Sequence, residues 1–300
     1  MTEAQTNPVL SDHEVRELQT LIEQRSGIVF DESRERFLTS RVVEHMQRKQ
    51  LRHGMELLRL VRQSNVEYDT MLERLLTQET RFLRYPGLFT AFEQNVLPEL
   101  SDRKFWEREQ SYRFWSAGCA SGEEPYSIAL SYCESFFGRT RPDCQIMATD
   151  ISREALERAD RGVYARRALE NLSPVQLERY FTLEPARASA HEKEHYKVRP
   201  LLREMVQFAP MNLAQPVYLG RFDCIFCMNV LIYFGEELRS RLIQRFYEYL
   251  APGGYLFLGH AESVANVPVR FHQTILNGTR MLQKPAAEDA TEARAVGGAL

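Results

Sequence analysis

The segment Gly118-Cys-Ala-Ser-Gly122-Glu123-Glu124 sets two glycines and two carboxylates between a strand-like run and a helix-like run. Asp150 closes the next strand-like run. A glycine-lined turn at a helix N-terminus lets a ligand approach the backbone. The spacing here is Gly-x-x-x-Gly rather than the Gly-x-Gly-x-x-Gly of dinucleotide binders, so by itself it reads equally well as a tight turn. Asp150 is placed to accept hydrogen bonds from both hydroxyls of a ribose. Helix capping is its competing role, for which Ser152 is also available. Glu123 and Glu124 suit the positive end of a helix dipole, and that alone would account for them. They also disfavour phosphate at this turn, whereas a cofactor carrying an amino group and a sulfonium meets complementary charge. S-adenosylmethionine therefore fits better than NAD or ATP, and no P-loop lysine is present.

The elements around these residues follow from periodicity. Tyr112–Gly118 reads as a buried strand, Ser121–Phe137 as the following helix and Cys144–Asp150 as a second strand, together a βαβ unit. A helix behind a Ser152 cap, a strong strand in Arg221–Phe234, an amphipathic helix in Glu236–Leu250 ended by Pro252-Gly253-Gly254, and a strand in Tyr255–His260 continue the alternation. Strand-like pieces on either side of Asn277-Gly278 read as an antiparallel pair at the sheet edge. Alternating helices and strands give a doubly wound, Rossmann-like α/β sheet. Between Asn171 and Pro210 the alternation breaks, and the strand-like pieces HYKV and MVQF read as an inserted β-subdomain. Cys224 and Cys227 form a CxxC within a strand-like run. Residues three apart on a strand point to opposite faces, so the pair reads as buried thiols and no metal site is expected.

The first part of the chain is helical. Ser11 to Glu14 is a capping-box pattern, Val15, Leu18 and Ile22 recur at helical spacing, and Gly27 supplies a stop. A second helix is expected over Arg34–His53, closed by Gly54, with Arg34, Arg41, Arg48 and Arg52 on one face. Shorter helices are expected at Met55–Arg62, at Val66–Leu76 and from Pro86 through Leu97. Residues 1–33 hold two basic and seven acidic side chains, and residues 34–62 hold eight basic and three acidic. The arginine face is either a solvated helix side or a docking stripe for an acidic partner helix.

The chain has 300 residues, 44% hydrophobic and 26% charged, which excludes disordered and fibrous classes and allows more than one domain. The net charge of −3 gives no global nucleic-acid or membrane footprint. No apolar run approaches the ~18–20 residues of a membrane span, and the N-terminus has no signal-peptide pattern, so a cytoplasmic protein is expected. Five scattered cysteines fit reduced thiols. The expected organisation is a helical domain over 1–86, a linker helix region over 87–110, a catalytic domain over 111–284 with its insert at 171–210, and a disordered tail over 285–300.

In this order, TRFLR, WSAGCASGEEPYSIA, ATDIS, NL and FDCIFCMNVLIYF resemble the chemotaxis receptor methyltransferase (CheR) family, over roughly residues 11–284. The resemblance implies a class I S-adenosylmethionine-dependent methyltransferase domain with a small inserted β-subdomain, preceded by an all-helical domain. It also implies methylation of receptor glutamates. By motif it carries over as cofactor contacts Gln78, Thr80, Arg84, Gly118, Gly122, Glu123, Asp150, Asn212, Leu213, Asn229 and Val230. Gln78 stands where the family often has Asn, and Met228 where it would place Arg. Gln78 keeps both hydrogen-bonding functions, whereas Met228 removes a charge.

The implied chemistry is in-line attack of an ionised glutamate oxygen on the sulfonium methyl, with S-adenosylhomocysteine leaving. A carboxylate with pKa ~4.3 needs no strong general base, so orientation and desolvation are the enzyme's main tasks. Arg84 is expected to orient the acceptor carboxylate or the cofactor's own, and Tyr233 to line the transfer site. Aromatic packing is the competing role for Tyr233. The expected partner is the helical cytoplasmic domain of a chemoreceptor, with no nucleic acid and no membrane insertion. Some family members tether a receptor C-terminal peptide through a glycine-containing loop of the insert. The matching stretch here, TLEPARASAHEKEHYK, has no glycine, so independence of such a pentapeptide is expected. A methyltransferase with another acceptor and a non-catalytic S-adenosylmethionine-binding scaffold are the alternatives.

Overall fold

Val15, Leu18 and Ile22 are all buried on one face of α1, Asp12–Ser26, in a computed structural model that describes residues 8–104, 111–185, 194–215, 217, 219–265 and 267–286. Ser11 opens α1 with a complete capping box, and Gly27 ends it in a left-handed conformation at φ 78°. The second helix, α2, spans Glu35–Arg48, and buries Leu38, Val42, His45 and Met46. It ends five residues earlier than its sequence predicts. Gln50 turns left-handed at φ 57°, and the Leu51 N–H reaches back to the Met46 carbonyl at 2.9 Å. Arg52 therefore lies beyond the helix and off the face expected for it. Gly54 is not a stop but the first residue of α3, Gly54–Gln63, which leads into α4, Asn65–Leu75.

The chain divides into two compact units. The first comprises the residues up to Thr77 together with Tyr233–Arg239, and the second comprises Gln78–Ile232 and the residues from Ser240 on. The helical unit thus ends at Thr77, before the expected boundary at 86.

In the second unit, α5 (Pro86–Ala91) passes through a π-helical turn, Phe92–Val96, into α6 (Leu97–Lys104). Strand β1 (Ser111–Ala117) leads to α7 (Glu123–Ser135), β2 (Asp143–Asp150) and α8 (Arg153–Arg161), the last capped by the Ser152 side chain. Then come β3 (Val163–Ala165), α9 (Pro174–Tyr180), β4 (Phe181–Leu183), β5 (His195–Val198), α10 (Pro200–Arg203) and β6 (Val206–Pro210). The remaining elements are β7 (Phe222–Cys227), α11 (Glu236–Tyr249), β8 (Leu250–Leu258), β9 (His272–Leu276) and β10 (Thr279–Gln283). Seven strands form one sheet in the order β6-β2-β1-β7-β8-β10-β9, parallel except where β10 pairs with β8 and β9.

Alternation along β1 gives the sheet its two packed faces. Phe114 meets Phe92 at 5.5 Å and Tyr132 at 6.0 Å between ring centroids, while Trp115 points the other way, to Phe246 at 5.4 Å. Cys224 and Cys227 are among the buried residues of β7, and burial drives both thiols well above their ordinary range, so they stay protonated. Pro252-Gly253-Gly254 does not follow the helix but lies inside β8, where the register with β7 shifts.

The small sheet, β3-β5-β4, departs from the expected insert. Its first strand, Val163–Ala165, precedes residue 171, and the MVQF segment belongs instead to the main sheet, where Val206 pairs with Ile146 of β2. A three-residue strand is too short for alternation to mark it, and MVQF is equally apolar whichever sheet it joins. The glycine-free loop falls at 186–193, outside the described residues. So do residues 105–110 of the linker and residues 287–300 of the tail.

Candidate cofactor site

Strand order reverses between β1 and β7, since the chain runs outward from β1 to β2 and β6 on one side and from β7 to β8 on the other. In such sheets ligands bind outside the carboxyl ends at the reversal. Gly118 and Gly122, Asp150, Asn212, and Asn229 with Val230 follow or end β1, β2, β6 and β7, so the fold brings these expected residues to one edge.

The glycine turn is fixed by close packing. A Cβ at Gly118 (φ 89°) would stand 2.4 Å from a Val230 methyl, and one at Gly122 (φ 97°) 2.7 Å from the Tyr164 hydroxyl. Both positions therefore demand glycine whether or not a ligand is bound. The ligand signal comes instead from the carboxylates. Asp150 accepts from the Ala120 N–H through Oδ2 and from the Ser152 N–H through Oδ1, each at 2.8 Å. These two backbone donors fix the orientation of the Asp150 carboxylate at the end of β2. The capping role belongs to Ser152, whose hydroxyl accepts from the Ala155 N–H.

Glu123 is buried and accepts from the Ser121 hydroxyl at 2.8 Å; burial raises its pKa. Glu124 accepts from the Ser116 hydroxyl at 2.6 Å. Burial is the main cause that pushes Glu124 up to about 8, with the Glu262 charge adding to it, while Ser116 and Arg84 pull it down. Glu262, not anticipated from sequence, accepts four backbone N–H groups, from Asn229, Val230, Leu231 and Gly259. Its partners are all main chain, so no residue pattern signals it.

Gln78 donates to the Ser152 hydroxyl at 2.9 Å, which ties the start of the second unit to the end of β2. Thr80 is half-buried in the irregular segment that follows. Arg84 donates to the Glu79 carbonyl at 2.9 Å and is close enough to Glu124 to lower its pKa. Tyr85, also missed in the sequence, donates to Asn229 Oδ1 at 2.7 Å and meets the His260 ring in a tilted contact at 4.4 Å between centroids. Asn212 caps its own turn by accepting from the Ala214 N–H. The Leu213 side chain is buried and lines a cavity with Trp115, Leu242 and Phe246.

Tyr233 groups with the helical unit, where its carbonyl accepts from the Val29 N–H and its ring lies 4.8 Å from the Arg34 guanidinium. These are the contacts of a packing aromatic. Arg34 is drawn off the expected stripe by that ring, by Phe30 at 4.6 Å and by the Val29 carbonyl. Arg41 and Arg48 remain exposed on α2 and share Glu44, at 3.2 and 2.6 Å.

Residues 78–279 match the CheR methyltransferase, SAM binding domain, and residues 13–76 match the CheR methyltransferase, all-alpha domain. The chain belongs to the CheR methyltransferase family. It is 35% identical over 266 residues to the chemotaxis protein methyltransferase of Escherichia coli (strain K12), covering 87% of this chain and 88% of the relative. It is also 35% identical to chemotaxis protein methyltransferase 1 of Pseudomonas aeruginosa, covering 82% and 89%. A solved magnesium protoporphyrin IX methyltransferase from Synechocystis is 16% identical with a TM-score of 0.32, over 68% of this chain and 85% of that one.

The SAM binding domain match spans every strand-end residue described above, so S-adenosylmethionine is the cofactor and this CheR chain is a methyltransferase. The residues present fit that group. Asp150 is oriented at the end of β2 by two backbone donors, and Glu123 and Glu124 open α7 with carboxyl groups whose ionised form a cation would favour. Among the described residues no helix is long and apolar enough to cross a membrane, and no cluster of His, Cys, Asp or Glu could hold a metal ion.

Proposed function

We propose that this chain acts in the cytoplasm as a protein-glutamate O-methyltransferase, converting glutamate side chains on the helical cytoplasmic domains of chemoreceptors to methyl esters. The observation that carries this reading is the convergence of Asp150, Glu124 and the Asn229–Val230 loop at the strand reversal of a sheet matched as a CheR SAM binding domain. When bound, S-adenosylmethionine supplies a methyl on a sulfonium, which passes to a carboxylate oxygen as the carbon–sulfur bond breaks and a neutral thioether is left. Asp150 holds the ribose diol. Glu123 and Glu124 complement the positive charge, and Arg84 orients a carboxylate, that of the acceptor or that of the cofactor. No residue is needed as a strong base, because a glutamate acceptor is ionised at neutral pH.

The test is incubation with methyl-labelled S-adenosylmethionine and receptor cytoplasmic domains, followed by alkali. Release of labelled methanol is expected, and cofactor binding without transfer would overturn the assignment. The proposal extends to independence of a receptor C-terminal pentapeptide, supported by the absence of glycine from the stretch 182–197. Micromolar binding of such a peptide in a titration would count against it.

A further inference from the structure

Glu262 stands in the turn after β8 and is 8% exposed. Its Oε1 accepts from the Val230 N–H at 2.9 Å and the Leu231 N–H at 2.7 Å, and its Oε2 from the Asn229 N–H at 3.0 Å and the Gly259 N–H at 2.6 Å. Four donors use the whole acceptor capacity of a carboxylate. The group therefore has no remaining lone pair for a ligand and acts through the backbone it holds.

That backbone needs holding. Asn229 is left-handed at φ 62°, a conformation that residues other than glycine seldom adopt unless the surroundings impose it. In this conformation Val230 packs against Gly118, where a Cβ would fall 2.4 Å from its methyl, and Asn229 accepts from the Tyr85 hydroxyl. Gly259 closes the arrangement from the β8 side. A Cβ there would stand 2.9 Å from both the Asn229 nitrogen and Glu262 Oε2. One side chain thus ties the loop after β7, the turn after β8 and, through Val230, the glycine turn after β1 into a single rigid wall.

We propose that Glu262 is a positioning residue for S-adenosylmethionine, setting the Asn229–Leu231 loop in its binding conformation without touching the ligand. The proposal rests on the cofactor reading above and not on the identity of the methyl acceptor. Glu262→Gln keeps the shape but replaces one oxygen by an NH2, so two of the four N–H groups must lose their acceptor and face another donor.

The experiment is calorimetric titration of S-adenosylmethionine and of S-adenosylhomocysteine into the full chain, with circular dichroism confirming the folded fraction. For Glu262→Gln, Kd is expected to rise at least tenfold for both ligands while KM for the receptor domain stays within twofold. Glu262→Asp, which keeps the charge one methylene shorter, is expected to recover part of the loss. A Kd within twofold of the parent in folded Glu262→Gln would overturn the proposal. So would a receptor KM that rises by the same factor as the cofactor Kd, because that pattern marks a disturbance that is not confined to the cofactor loop. Should Glu262→Gln not fold, Gly259→Ala displaces the same contact from the other side. The same rise in Kd is expected there, and an unchanged Kd is again fatal. A parent protein that binds the cofactor but methylates no receptor would remove the acceptor assignment and leave the Kd comparison intact.

Discussion

Glu124 lies half-buried between a hydroxyl donor and like charge, and its protonation sets a pH dependence with a definite sign. A glutamate ionises near 4.5 when exposed, and here burial carries it up to about 8. Between those values the native state holds a proton that the unfolded chain has lost, so stability falls as pH rises through the window and levels off beyond it. Glu124→Gln should flatten that slope, as read from urea midpoints at pH 5, 6.5 and 8.5 without ligand. A sulfonium favours the ionised form, so binding of S-adenosylmethionine should tighten as pH rises toward 8. The neutral thioether of S-adenosylhomocysteine should show a smaller trend, and equal trends for the two ligands would speak against Glu124 sensing the sulfonium. Arg84 is the other residue to remove. Arg84→Ala is expected to lower cofactor affinity or turnover about tenfold, since it takes away a charge-assisted contact to a carboxylate. Unchanged values of both would end its assignment.

Helix α2 carries the proposed docking stripe for a partner helix. With Arg34 drawn to Phe30 and Tyr233 and Arg52 past the helix end, the docking stripe reduces to Arg41 and Arg48 around Glu44. Charge reversal at both should lower kcat/KM for receptor methylation about tenfold, leave S-adenosylmethionine Kd within twofold and change stability little, because exposed ion pairs contribute ~0–1 kcal/mol. Equal methylation rates would return these arginines to a solvated face. The same helix shows what sequence makes legible. Its buried stripe, Leu38, Val42 and Met46, was readable because burial repeats every turn, whereas its end depends on one left-handed residue, Gln50, with no glycine to mark it. The main sheet was legible for the same reason, down to the Asn277-Gly278 hairpin. The insert was not, because β3 is three residues long and β6 is apolar enough for either sheet. In the site, Asp150 and the glycines were visible as residue types at strand ends. Glu262 was invisible, since it recognises only N–H groups that every non-proline residue carries.

Over the whole molecule, charge of opposite sign is concentrated in successive stretches of the helical part, so its interaction with a charged partner should be screened by salt. The Debye length shrinks from about 10 Å at 0.1 M to about 3 Å at 1 M. Receptor KM should rise across that range by more than the cofactor Kd, whose carboxylates are buried or half-buried. Comparable salt dependence for the two would argue against electrostatic docking. The strand order carries one more consequence, for synthesis. β10 is the last strand of the sheet to leave the ribosome, yet it lies inside the sheet, between β8 and β9. Until residues 279–283 emerge, β8 presents an open, apolar edge next to the strand whose loop Glu262 holds. A chain stopped between Glu262 and Thr279 therefore carries every cofactor contact named above and still exposes that edge. A nascent chain arrested there should be captured by chaperones or aggregate, whereas one arrested after full emergence of Gln283 should not.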